Sequence, residues 1–225
     1  ISGPGGTLWG ANAVNGVINV TTRSADQTQG LLVSAIVGDQ VRSGAVRYGG
    51  MAGEAVSYRA YIRAYDDDEM ETATGADLRE DWSRVQGGFR VDWAASESDT
   101  VTLQGDAHEG DGEQGPARDD EFRGHNLLAR WVRTGADGRE TRVQGYYDRV
   151  HRGATTDGKF RVETFDAEIQ HAFQLGERHE IVVGGGLRAA DYRIDYTPTL
   201  DFVPSRRTLN LAAAFVQDPI TLAPD

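Results

Sequence analysis

The chain has 225 residues, 35 acidic against 23 basic side chains, a formal charge of −12 and no cysteine. That balance leaves no basic stripe to neutralise phosphates, which argues against a nucleic-acid partner. The lack of cysteine excludes disulfides, thiolate metal sites and cysteine nucleophiles. No run of about 18 apolar residues could cross a bilayer as a helix, so the chain is either soluble or crosses a membrane as strands. The mean hydropathy of −0.50 does not separate these two, because transmembrane strands dilute their apolar residues by alternating them with polar ones.

In chain order, the first 23 residues stand apart from the rest. Gly3, Gly5 and Gly6 flank Pro4 and permit turns with positive φ. Ala11, Ala13 and Gly16 allow close backbone packing, and Val17, Ile18 and Val20 form a short buried strand. After residue 30 the pattern has period two. Val56, Tyr58, Ala60, Ile62 and Ala64 alternate with Ser57, Arg59, Tyr61, Arg63 and Tyr65. Val85, Gly87, Phe89, Val91 and Trp93 alternate with Arg84, Gln86, Gly88, Arg90 and Asp92. Val101, Leu103, Gly105 and Ala107 alternate with Thr100, Thr102, Gln104, Asp106 and His108. Further strands are expected near 31–40, 43–52, 122–133, 139–150, 160–174, 180–194 and 207–217. The fold class is therefore all-β, an antiparallel up-and-down meander of about ten strands. Most exceed the ~5–6 residues of globular strands and reach the ~9–11 that a tilted bilayer crossing needs, which favours part of a transmembrane β-barrel over a sandwich.

The connections alternate in length, as the short periplasmic turns and longer outer loops of such barrels do. Those near 94–99, 134–138 and 175–179 are brief, and those near 66–81, 109–121, 151–159 and 195–206 are longer. A lead-in from the periplasmic side places the short turns after even-numbered strands, and the expected strands meet that condition.

The specific signal is the run Gly3-Pro4-Gly5-Gly6-Thr7-Leu8-Trp9-Gly10-Ala11-Asn12-Ala13-Val14-Asn15-Gly16-Val17-Ile18-Asn19-Val20. It resembles the closing segment of the plug domain in TonB-dependent outer-membrane receptors, with a Gly-Pro turn, a Leu-aromatic-Gly step and a Gly-Val-Ile-Asn strand. Ser2 stands where the commonest form of the motif has Arg. A second likeness lies in Leu209-Asn210-Leu211, Phe215-Val216-Gln217-Asp218 and Ile220-Thr221-Leu222, similar to a mid-barrel strand end of that family. The resemblance implies an internal fragment of a receptor, with residues 1–25 ending the plug and 26–225 opening the barrel. It also implies an outer-membrane active importer of a scarce nutrient, most often a ferric siderophore and less often cobalamin, haem or a glycan, so that its ligand would be a small molecule such as a metal chelate. Its partners would be the TonB–ExbB–ExbD system, lipopolysaccharide and outer-membrane lipid, and the fragment could self-associate through open strand edges. No cofactor is implied. The alternative is a soluble or surface-displayed β-structured binding or adhesin module without transport.

Candidate sites are each weighed against a plainer role. The acidic runs Asp66-Asp67-Asp68-Glu69 and Asp111, Glu113, Asp119, Asp120, Glu121 lack the ordered spacing of a calcium loop and read as solvated outer loops. His108, His125, His151, His171 and His179 lack zinc spacing, so no metal site is expected, although His108 and His151 lie near strand tops. Arg59, Arg63, Arg84 and Arg90 share the polar face of neighbouring strands. There they could meet plug carboxylates, line an import path, or be balanced by Asp92 and Asp106. Trp82, Trp93, Trp131, Tyr146 and Tyr147 are expected in aromatic girdles. No nucleophile elbow, phosphate loop or converging carboxylate pair is present, so catalysis is not expected. The ligand-binding residues are not legible.

Overall fold

A strand leaves backbone donors and acceptors on both edges, so strands that cannot pair locally must pair with their neighbours in sequence or lose those hydrogen bonds. The computed structural model describes residues 20–113, 119–154, 158–195 and 202–220. A single turn of 3-10 helix, Asp26–Thr28, leads into ten strands: β1 (Gly30–Val37), β2 (Val41–Ala52), β3 (Val56–Asp67), β4 (Trp82–Ala94), β5 (Asp99–Glu113), β6 (Asp119–Thr134), β7 (Glu140–Ala154), β8 (Gly158–Leu175), β9 (His179–Asp195) and β10 (Arg206–Gln217). They form one ten-stranded sheet in sequence order, every neighbour antiparallel. The expected meander is thus observed, and short turns follow β2, β4, β6 and β8, but an equally short connection, 38–40, follows β1, so the expected alternation of short and long connections does not hold at the first hairpin. Three of those turns place glycine at positive φ, Gly53 at 68°, Gly138 at 77° and Gly176 at 68°, a conformation that costs other residues a Cβ clash.

The outer connections depart from expectation. The segments 109–121 and 151–159, expected as loops, are largely strand, since β5 runs to Glu113, β6 starts at Asp119, β7 runs to Ala154 and β8 starts at Gly158. Charged side chains such as Glu121, Arg152 and Lys159 suit a solvated hairpin as well as a loop, so polarity alone gave the wrong boundary. Long connections remain at 68–81 and before β10.

The register separates two faces. In one row across β3 to β9, Ala60, Phe89, Gly105, Leu127, Tyr147, Phe165 and Ala189 lie side by side. On the opposite face Arg59, Arg90 and Gln104 are neighbours. The apolar band slides along this register. It covers Val56 to Ala64 on β3 and Ile181 to Ala189 on β9, yet Ala64 is in register with Arg193, four residues beyond Ala189. With ~3.4 Å per residue and ~4.8 Å between strands, that drift is a strand tilt of roughly 25°, the sense of inclination a barrel wall requires.

The distribution of exposure is inverted relative to a soluble protein. Ile62, Phe165 and Leu187 on the apolar face are 57%, 58% and 66% exposed, whereas Ser57, Thr102 and Asp120 on the polar face are buried. Among the described residues the buried hydrophobics are Ala25 and Ala154, and no large side chain is fully buried. Two of the five expected girdle aromatics need correction. Trp93, Trp131 and Tyr147 lie on the apolar face, but Trp82 pairs with Asp67 and Tyr146 with Asp166, both on the polar face. Counting by twos from Trp93 puts even-numbered residues of β4 on the polar side, and Trp82 accordingly stacks on Tyr65 at 4.5 Å.

One glycine is fixed by packing. A Cβ on Gly49 would overlap the carbonyl oxygen of Thr28, whereas one on Gly44, on the same strand, would meet nothing within 4 Å. Gly49→Ala should therefore cost about 1–3 kcal/mol through displacement of the 3-10 turn, and Gly44→Ala should be near neutral. Denaturant titration of the two variants checks the contrast.

Candidate functional site

The polar face of β2 to β5 receives the segment that leads into the sheet. Strand pairing sets Arg59 of β3 opposite Arg90 of β4, and Asp92 opposite Thr102 of β5. Two arginines side by side repel, and the neighbouring groups resolve this. Arg90 donates to both oxygens of Asp92 at 2.8 and 2.9 Å and to the Thr22 hydroxyl at 3.0 Å. Arg59 donates to the Arg23 carbonyl at 2.6 Å. Asp92 accepts further bonds from the Ala25 amide and the Thr102 hydroxyl, each at 2.7 Å. Behind this contact the Thr28 hydroxyl donates to the Ala25 carbonyl at 3.1 Å and the Gln29 amide donates to the same oxygen at 2.7 Å. The lead-in segment is therefore clamped to the wall by Arg59, Arg90 and Asp92.

The expectation for the arginines is met in part. Asp92 balances Arg90 as anticipated, but no arginine forms an ion pair with Asp106 among the described residues; that carboxylate is held by the Tyr61 hydroxyl. Tyr61 also accepts from Gln86 at 2.8 Å. Arg59 meets a backbone carbonyl rather than a carboxylate. Period-two counting correctly grouped these side chains on one face, but it carries no information about which residue of the lead-in segment each would reach. Arg47, on the same face of β2, was not singled out because the β2 alternation is diluted by glycine and alanine.

The acidic runs are split among separate partners. Arg42 pairs with Asp68 at 2.6 Å and with Asp66 at 3.7 Å, Arg152 with Asp120 at 2.8 Å, and Lys159 with Glu121 at 2.9 Å. Arg79, in the connection between β3 and β4, donates to Glu113 at 2.7 Å, which holds the Glu113 carboxyl below the usual carboxylate range. Glu69 moves the other way, raised by desolvation and by the nearby carboxylates of Asp77 and Asp81. The histidines do not converge. His108 lies on the polar face beside Gln86, His151 is 3.5 Å from Glu121, His171 is 2.9 Å from the Thr141 hydroxyl and His179 is 2.7 Å from Asp218, while His125 lies beside Tyr147. Among the described residues no three His, Cys, Asp or Glu side chains are grouped so as to hold a metal ion. The plug-like motif, from Gly3 through Asn19, lies outside the described residues.

A tilted, inside-out meander with a clamped lead-in segment defines an architecture that can be compared with known structures. Over 99% of its length the chain superimposes on 40% of the siderophore receptor PirA from Pseudomonas aeruginosa, with a TM-score of 0.73 and 18% identity. The resemblance to TonB-dependent receptors holds in the fold. Over 90% of its length the chain also superimposes on 35% of the copper transporter OprC, with a TM-score of 0.70 and again 18% identity. The chain thus spans well under half of either protein. No protein-family model and no curated protein matches the sequence.

Proposed function

We propose that the chain forms part of the wall of an active importer in the outer membrane of a Gram-negative bacterium. Its cargo is a scarce nutrient carried as a metal chelate, a ferric siderophore first. The observation that carries this reading is the inverted exposure: a soluble module must bury one face of each strand in a packed core, and this sheet turns its large apolar side chains outward and encloses its polar ones. Lipid is the solvent that rewards that arrangement. The apolar band would then meet membrane lipid and the charged strand ends above it the lipopolysaccharide headgroups. The polar face would line the interior, where the lead-in segment is clamped.

In this reading residues 1–25 close a plug domain and the TonB–ExbB–ExbD system supplies the energy to rearrange it, as the sequence motif implies. The names of the two structural neighbours, a siderophore receptor and a copper transporter, support a metal-related cargo without selecting one. Uptake of iron-labelled siderophores by outer-membrane vesicles carrying the protein, with and without TonB, tests the proposal. Energy-dependent accumulation of one chelate is expected. Binding that never leads to TonB-dependent accumulation would overturn transport and leave a surface-displayed binding module.

A further inference from the structure

Beyond the apolar band, on the same face of the sheet, the charges of the outer strand ends are sorted by register. Strand pairing sets Arg123 of β6, His151 of β7, Arg161 of β8, Arg193 of β9 and Arg206 of β10 in one straight row. The first four lie two positions on this face, about 14 Å along the strand, beyond Leu127, Tyr147, Phe165 and Ala189 at the top of the band. The row stops at β5, where Arg123 meets Glu109. Like charges directly opposite one another destabilise a sheet, and Arg161, Arg193 and Arg206 make two such pairs in succession.

Carboxylates flank the row without breaking it. Glu163 lies 3.5 Å from both Arg161 and Arg149, Asp195 3.3 Å from Arg193 and Asp191 3.7 Å from Arg206, each through the arginine Nε. Glu121 is shared between Lys159 and His151. In this row and the rows directly above and below it, the row's four arginines with Arg149 and Lys159 thus share four carboxylates. The patch is basic on a chain of net charge −12.

Below the row the same strands carry an apolar groove of about 800 Å³. Ala129, Gly145 and Ala167 form its floor, Tyr147 and Phe165 its upper side and Leu187 its end. A Cβ on Gly145 would meet nothing within 4 Å, so no neighbouring side chain fills the floor.

We propose that β6 to β10 form a docking site for one phosphorylated glycolipid of the outer leaflet, with its phosphates along the arginine row and an acyl chain in the groove. The inference rests on reading the apolar face as lipid-facing. Phosphate oxygens match the guanidinium fork, and anions laid along the row relieve the repulsion that the register builds in. The gap of about 14 Å between row and band, bridged by the polar His125, Glu163, Asp191 and Thr208, suits a sugar headgroup better than a glycerol phosphate joined directly to its chains. Phosphates crowded at a membrane surface repel one another and need cations between them. Here the wall supplies that charge itself, so docking requires no divalent cation.

The test uses the protein in phosphatidylcholine vesicles with EDTA, and bis-phosphorylated lipid A bearing a spin label on one acyl chain. The motionally restricted fraction of the label reports docking. It should saturate with lipid A and fall with added salt, and the dephosphorylated form should need at least ~30-fold more lipid for the same fraction. The Arg161→Gln, Arg193→Gln, Arg206→Gln variant should weaken the phosphorylated form to a similar extent, while the matching triple Arg→Lys variant keeps the preference and carries the test if the glutamine variant does not assemble. Gly145→Leu, which fills the open floor, should lower the restricted fraction. Arg42→Gln, on the same face of β2 and paired with Asp68, should not. Equal restriction of the two lipid forms, a requirement for added magnesium, displacement by inorganic phosphate at equal phosphate concentration, or indifference to the glutamine substitutions overturns the site. Protein that inserts but restricts neither lipid refutes the site and leaves the lipid-facing assignment standing; protein that does not insert refutes that assignment and the site with it.

Discussion

Arginine in place of Leu187 should sharply reduce the amount of assembled protein in the membrane. Leu187 lies on the apolar face of β9, two thirds exposed, between Ala167 of β8 and Ala212 of β10. If that face meets lipid, the substitution places a charge in hydrocarbon, at a cost of roughly 2–4 kcal/mol near the bilayer midplane. If the face met water, the change would fall within about 0.5 kcal/mol, as for ordinary surface positions. Thr164→Arg is the matched control, because Thr164 lies on the polar face opposite Asp148 and the new cation gains a partner. Reversible unfolding from vesicles should show a large loss for Leu187→Arg and little change for Thr164→Arg. Equal losses would contradict the assignment of faces.

The second large effect is expected at Asp92. Its two carboxylate oxygens accept from Arg90, the Thr102 hydroxyl and the Ala25 amide, and Ala25 itself is completely buried. Asp92→Ala leaves the Ala25 amide without an acceptor and removes the ion-pair partner of Arg90, which keeps only the Thr22 hydroxyl and Gln104, a cost of about 2 kcal/mol. The loss falls mainly on the lead-in segment, because the strand pairing on either side of Asp92 is unchanged. The peptide bond after Arg23 is a direct reporter, since the Arg23 carbonyl is the group that Arg59 holds. Where cleavage follows the open population, about 2 kcal/mol predicts roughly 30-fold faster tryptic cutting there. Asp137→Ala, which removes an exposed turn pair with Arg139, should leave the rate unchanged. An unaltered rate in Asp92→Ala would mean that the segment is held by packing of the 3-10 turn and not by the clamp.

How much of this was legible in the sequence depended on the range of the interaction involved. Alternation is local, so the ten strands, the two faces and the short turns after even-numbered strands could be read from residues two apart. Strand ends were less legible: charged residues such as Glu113, Glu121 and Lys159 continue the pairing well past the apolar band, and composition there looks the same in a hairpin as in a loop. Facing was misjudged for Trp82 and Tyr146 because an aromatic near a strand end was taken as interfacial without counting its parity. The clamp was the least legible part. It joins Ala25 to Asp92 across 67 positions, and only the register that brings β3, β4 and β5 together makes Arg59, Arg90 and Asp92 a single receptor for one amide and two oxygens.

The central claim is that the apolar face meets lipid while the polar face lines an enclosed interior. Because the chain has no cysteine, single spin labels can be placed in turn at Phe165, Asp166, Ala167, Glu168, Ile169 and Gln170 of β8 in protein reconstituted into vesicles. Accessibility to oxygen, which partitions into lipid, and to a water-soluble nickel chelate would then be compared at each position. The account predicts oscillation with period two, oxygen high at the odd-numbered positions and the chelate higher at the even ones. Uniform accessibility, or the opposite phase, would contradict it.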